Sequence, residues 1–220
     1  MKNLTKSLGL AMLTFLFMAG SASALSTYVN PMGEWSSSIQ LSMASPGGIL
    51  DSIYGLNNLT RVDDSADQIW QLCTGAGCGS ATYEAKYAGY DQYFGFSAID
   101  GTGKTEILNS VSGTLNTTYT FMPSGKFVFY DDPYNNPSPI WYSLMSLNGG
   151  DDHMVTWKIN STDCDYVIAF EDLPLGSSDR DYNDLVIEVK NVSPVPEPAT
   201  MMLLGLGLVG LAGVRRNFKK

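Results

Sequence analysis

The residues best placed to do chemistry lie between Phe170 and Val189, in FEDLPLGSSDRDYNDLVIEV. This stretch offers Glu171, Asp172, Asp179, Asp181, Asn183 and Asp184 as oxygen donors, with Arg180 the one cation among them. So many carboxylates in one short loop repel each other unless a cation binds or water surrounds them. Asp179, Asp181 and Asn183 alternate, the spacing that opens a calcium loop of the EF-hand type. The loop is not an EF-hand. Its sixth position is Asp184 rather than Gly, its twelfth is Lys190 rather than Glu, and Leu185 to Val189 alternates as a strand does. The chemistry expected is hard-cation binding in a loop between two strands, with calcium as the ion.

Other chemistry has thinner support. The chain has one His and three Cys. His153 is expected to hydrogen-bond at the start of a strand rather than to act as ligand or base. Cys73 and Cys78 bracket Thr-Gly-Ala-Gly, so a small disulfide loop between them is expected in an oxidising compartment, with Cys164 left as a small buried hydrophobe. Asp131-Asp132 and Asp151-Asp152 read as acidic turns, the former able to approach the main loop if their strands are neighbours. There is no Ser-His-Asp or GxSxG arrangement, and no catalytic residue is assigned.

The elements that must position the loop read as strands. Tyr166 to Phe170 is apolar on both faces, so it should be a central strand. Pairing it antiparallel with Leu185 to Val189 brings Glu171 and Asp172 back beside Asn183 and Asp184. Tyr182 should then turn away from its carboxylate neighbours, onto the sheet or over the site. In His153 to Ile159, Val155, Trp157 and Ile159 form the face expected to be buried. Lys126 to Tyr130, Thr118 to Met122, Tyr93 to Ile99, Gln68 to Leu72 and Ser38 to Met43 are further short alternating runs. Turn signals separate them at Pro46-Gly47-Gly48, Asn57-Asn58 and Asp100-Gly101. One short helix fits between Ile49 and Leu59. The pattern is that of an all-β fold, an antiparallel β-sandwich or jelly roll, over residues 25–191.

The FED strand end, the Gly/Ser linker and the run D-x-DYNDLV-x-EV resemble the signature of the domain of unknown function DUF4114, as does the upstream DDHMVTWKI. The resemblance covers roughly Ser124 to Asn191. It implies a mainly β domain with a calcium site, found in exported bacterial proteins, and no enzymatic activity.

Both ends read as addresses. Lys2 and Lys6, the apolar Leu8 to Ala19 and the small residues Ser21 to Ala24 make residues 1–24 a signal peptide cut after Ala24. Asn191 to Pro198 reads as a Pro-rich linker. An apolar, Gly-rich helix, Ala199 to Val214, and a basic tail beginning Arg215-Arg216 follow. That helix is short of the ~20 residues a span wants, but snorkelling Arg and Lys could stretch it. The order of Val195-Pro196-Glu197-Pro198, apolar helix and basic tail resembles the PEP-CTERM sorting signal of Gram-negative bacteria. The resemblance implies Sec export, transient anchoring in the inner membrane, recognition by an exosortase near VPEP, and release to the cell surface or exopolysaccharide matrix.

Charge excludes one class of partner. The chain carries a formal charge of −9, and residues 25–194 hold 7 Lys/Arg against 21 Asp/Glu. Phosphate binding needs a basic face, so no nucleic-acid partner is expected. The reading is therefore a non-catalytic surface or matrix protein. Two alternatives stand beside it. The 12 Tyr and 4 Trp could serve a carbohydrate-binding or adhesive module, possible exopolysaccharide contact included, or the paired carboxylates could be those of a glycoside hydrolase.

Overall fold

The computed structural model describes residues 46, 48–133 and 139–195. The signal peptide, the Ser38 to Met43 run, Pro196 onward, and with them Arg215 and Arg216, lie outside the described residues. Among the described residues no helix is long and apolar enough to cross a membrane.

The fold is mostly antiparallel β. One helical turn, α1 (Ile49–Tyr54), leads through a 3-10 turn at Leu56–Asn58 into β1 (Leu59–Arg61). There follow β2 (Trp70–Leu72), β3 (Gly79–Ala85), β4 (Tyr93–Ser97), β5 (Thr105–Asn109) and β6 (Thr118–Phe121). Then come β7 (Val128–Asp132), β8 (Trp141–Tyr142), β9 (Met154–Ile159), β10 (Asp165–Phe170), β11 (Leu185–Lys190) and β12 (Val192–Pro194). Six strands form one sheet in the order β1-β9-β10-β11-β3-β6, and four form a second in the order β5-β4-β7-β8. β12 pairs with β2 as a separate ribbon.

The two larger sheets share one core. Tyr166, Ile168 and Phe170 of β10 and Leu185, Ile187 and Val189 of β11 meet Trp70, Phe94, Phe127 and Phe129. The rings interlock edge to face, with Trp70 and Tyr166 centroids 5.3 Å apart and Phe94 reaching Phe170 at 6.3 Å. Such pairs add about 0.5–1.5 kcal/mol each beyond the area they bury. Gly95 sits where this packing leaves no room, since a Cβ there would come within 2.2 Å of the Thr105 carbonyl oxygen and 2.6 Å of the Tyr130 hydroxyl.

β10 is indeed central, between β9 and β11. Its second face is apolar because it too is covered. Val167 and Ala169 pack with Ile49 and Leu50 of α1, with Val155, Trp157 and Val186, and with Tyr182. The same double cover corrects the expectation for β9. Met154 and Thr156 are as buried as Val155 and Trp157, since one face meets the opposite sheet and the other meets α1.

β1, β3, β5, β8 and β12 correspond to none of the runs read as strands. β3 (GSATYEA) is rich in small residues, so its pattern is faint, yet it lies inside the six-stranded sheet. The Pro-rich linker also begins later than expected: residues 192–194 are strand, and the Val195 N–H donates to the Ile69 carbonyl at 2.7 Å.

The expected Cys73–Cys78 disulfide is replaced by Cys73–Cys164, with Cys78 free and half-buried. The reason is β12 and its neighbours. Cys73 donates its N–H to the Asn191 carbonyl, and Val192 donates to the Cys164 carbonyl. Consecutive residues thus hold both cysteines side by side, 91 positions apart in sequence.

Candidate metal centre

β10 and β11 pair in a register that sets Phe170 against Leu185. Residues 171–184 therefore leave and re-enter the sheet at one edge. The Asp172 N–H donates to Asp184 Oδ2 at 2.8 Å and ties the two ends together.

The Glu171 backbone is pinned by His153. Its N–H donates to the His153 carbonyl, and its carbonyl oxygen accepts from His153 Nδ1, both at 3.0 Å. His153 is fully buried and stacks flat on Trp141, ring centroids 3.7 Å apart. Trp141 Nε1 in turn donates to the Asp172 carbonyl at 2.8 Å. Burial holds the imidazole below its ordinary pKa, as a neutral brace. Its role is the hydrogen-bonding one expected from sequence.

On the returning arm, Asp181 accepts from the Asn183 N–H at 3.1 Å and from Asn183 Nδ2 at 2.8 Å. Between them Tyr182 turns away. It is buried beneath the sheet's second face, and its hydroxyl donates to the Asp152 carbonyl at 2.9 Å. Arg180 and Tyr182 take positive φ, 60° and 54°. Non-glycine residues pay roughly 1–2 kcal/mol for this, and such outliers gather at functional sites.

The carboxylates converge on Glu171. One ligand oxygen from each of Glu171, Asp172 and Asp184 lies within 4.8 Å of the others, and the same holds for Glu171, Asp179 and Asp181. Glu171 belongs to both groups. The structure thus brings together five of the six expected donors, while Asn183, fully buried, holds Asp181 through its amide nitrogen. Glu171, Asp172 and Asp181 are buried and Asp179 is exposed, which leaves one open side. Among the described residues no donor reaches Glu171 Oε2.

Electrostatics agree with geometry. Burial pushes Glu171 up to about 7, against a hydrogen bond from Asp184. Burial, then repulsion from Glu171 and Asp172, pushes Asp184 up to about 10. Burial also raises Asp172, although Gln92 Nε2 donates to its Oδ2 at 2.7 Å. An opposite charge at the centre would reverse all three. Calcium takes six to eight oxygens at about 2.3–2.6 Å, so its ligands stand at most about 4.6–5.2 Å apart, a limit that both groups meet. These residues fit a hard cation.

Residues 91–191 match the family model described as a domain of unknown function, DUF4114. The DUF4114 match starts well before Ser124, where the motif resemblance fades, and so takes in β4 to β11 and every residue of the two triads. Residues 194–216 match the PEP-CTERM protein-sorting motif. That motif includes Val195, Pro196, Glu197, Pro198, Arg215 and Arg216, of which Val195 is the described one. It implies export across the membrane to the cell surface and recognition by an exosortase. No curated protein and no solved structure matches the chain.

Sequence reasoning missed Gln92, Trp141 and the His153–Glu171 clamp. Gln92 and Asp172 stand 80 residues apart, and no spacing rule connects them.

Proposed function

We propose that this is an exported, non-catalytic surface or exopolysaccharide-matrix protein of a Gram-negative bacterium, whose DUF4114 region is a β-sandwich of jelly-roll type stabilised by calcium. After Sec export, the apolar C-terminal helix would hold it transiently in the inner membrane until an exosortase cuts near Val195-Pro196-Glu197-Pro198.

One observation carries the calcium reading: Glu171, itself 1% exposed, is the shared vertex of two carboxylate triads. Two carboxylate triads that share one buried residue oppose folding unless protons or an ion neutralise them. Among the described residues no Lys or Arg forms an ion pair with Glu171, Asp172, Asp179 or Asp184. The aromatic side chains mostly fill the core, and among the described residues Tyr90 is the aromatic that counts as exposed, which gives a sugar-stacking surface little support.

The test is thermal unfolding of the full-length chain with calcium and with chelator. Extracellular modules bind calcium at roughly 10⁻⁴–10⁻³ M, and ion at a hundredfold its Kd adds about 2.7 kcal/mol. That is a rise in Tm of roughly 5–10 °C for a domain of this size. Equal Tm values in both solutions would remove the reading.

A further inference from the structure

Asp131 is fully buried, and among the described residues no donor reaches either of its carboxylate oxygens. On β7 it lies between Phe94 of β4 and Trp141 of β8, as the register shows. Cross-strand partners carry their side chains on the same face of a sheet. Phe94 faces the core and touches Phe170, so Asp131 also faces the six-stranded sheet, at the end where Phe170 gives way to Glu171 and Asp172.

Its cross-strand partner Trp141, and Gln92 two residues before its other partner Phe94, both hold Asp172. Trp141 Nε1 donates to the Asp172 carbonyl, and Gln92 Nε2 donates to Asp172 Oδ2. Gln92 is fully buried, and its Oε1 has no donor among the described residues. Turning the amide over would only move the shortfall, because Asp172 would then face an oxygen. Three acceptor atoms, Asp131 Oδ1 and Oδ2 and Gln92 Oε1, are therefore unsatisfied, and the charge of a fourth acceptor, Asp172, repels Asp131. One proton on Asp131 would satisfy the oxygen that carries it and one acceptor, and would leave the other Asp131 oxygen without a donor. The nearest cationic influence on Asp131 is Lys86, half-buried, and no ion pair joins the two.

We infer that Asp131, Gln92 Oε1 and Asp172 form a second hard-cation site, adjacent to the first and sharing Asp172 with it. Asp131 belongs to neither triad whose oxygens lie within 4.8 Å, so it stands outside the sphere of an ion held by Glu171. A bidentate carboxylate, an amide oxygen, one shared carboxylate oxygen and water make a donor set that calcium accepts. Asp172 would bridge the two ions, as carboxylates do in paired-metal centres. This second site involves three strands' ends, from β4, β7 and β10, and would lock the four-stranded sheet to the six-stranded one.

Native mass spectrometry of the full-length chain titrated with calcium alone counts the ions. Two per chain are expected for the wild type, one for Asp131→Asn and one for Gln92→Met, with the lost step weakened at least tenfold. Gln92→Met keeps the volume and removes the oxygen, so it carries the test if Asp131→Asn does not fold. One ion in the wild type that both variants keep overturns the inference and leaves the first centre standing, whereas one ion that both variants lose places it at Asp131 and overturns the first centre instead. Two ions in both variants overturn it as well. No ion in any protein overturns this site and the first centre together.

Discussion

The backbone N–H of Asp172 donates to Asp184 Oδ2 at 2.8 Å, between residues twelve positions apart. This bond orients a carboxylate that repulsion would otherwise turn outward. It directs Asp184 toward Glu171 and leaves the acidic groups converged, ready for an ion rather than rearranged by one. Several consequences can be measured.

Glu171→Gln should remove the calcium-dependent rise in Tm, since both triads lose their common member. The same change replaces a buried, repelled carboxylate with an amide. In chelator near pH 7.5 the variant should therefore be at least as stable as the wild type. Asp179→Asn, at the exposed rim, should weaken calcium binding and leave part of the Tm rise. Equal loss from both variants, with and without calcium, would indicate a packing effect instead.

The pH dependence should change sign with calcium. Burial lifts Glu171 and Asp152 to about 7 and Asp184 to about 10, all above their ordinary range. Between about pH 5 and 7 the folded, ion-free chain keeps protons that the unfolded chain releases. Its stability then falls as pH rises, and Tm in chelator should drop by several degrees over that window. Calcium displaces the protons on Glu171 and Asp184, so the Tm gained from calcium should grow over the same window. Differential scanning calorimetry at pH 5, 6 and 7.5 reads both trends. A Tm in chelator that climbs with pH would contradict the burial described.

Reduction should destabilise the folded domain. Cys73–Cys164 closes a loop of 91 positions, for which chain entropy gives roughly 4–5 kcal/mol, and measured losses run about 2–5. Dithiothreitol or Cys164→Ser should lower Tm substantially, whereas Cys78→Ser should change it by less than about 2 °C. Peptide mapping under non-reducing conditions identifies the pair directly.

Processing should depend on the sorting motif and not on the metal centre. In a host with an exosortase, Glu197→Ala should leave the chain membrane-bound with its tail intact. Glu171→Gln should be processed like the wild type. Intact mass of the membrane and released fractions distinguishes these outcomes. The cut must fall close to the body of the domain, because Val195 is still tied to Ile69.

The local features were legible because they are short-range. Tyr166 to Phe170 is apolar on both faces, and only a central strand explains that. The FED and DYND runs sit at the ends of two strands whose pairing follows from one reversal of the chain. That was enough to place Glu171 and Asp172 beside Asp184. β3 was not legible, because Gly79, Ser80 and Ala81 are small and carry little alternation. Nor was β12: its proline-containing sequence reads as linker, and its pairing with β2 lies more than a hundred residues away in sequence.

By itself, the sequence determined the β class, the acidic loop and the sorting signal, since each is written in contiguous residues with their own periodicity or charge. Only the tertiary structure decided which cysteine Cys73 joins, which faces of β9 are dry, and that Gln92, Asp131 and Trp141 meet Asp172. Those facts depend on strand order and register across two sheets. Contacts between residues so far apart are chosen by how the whole core packs, and no local pattern encodes them.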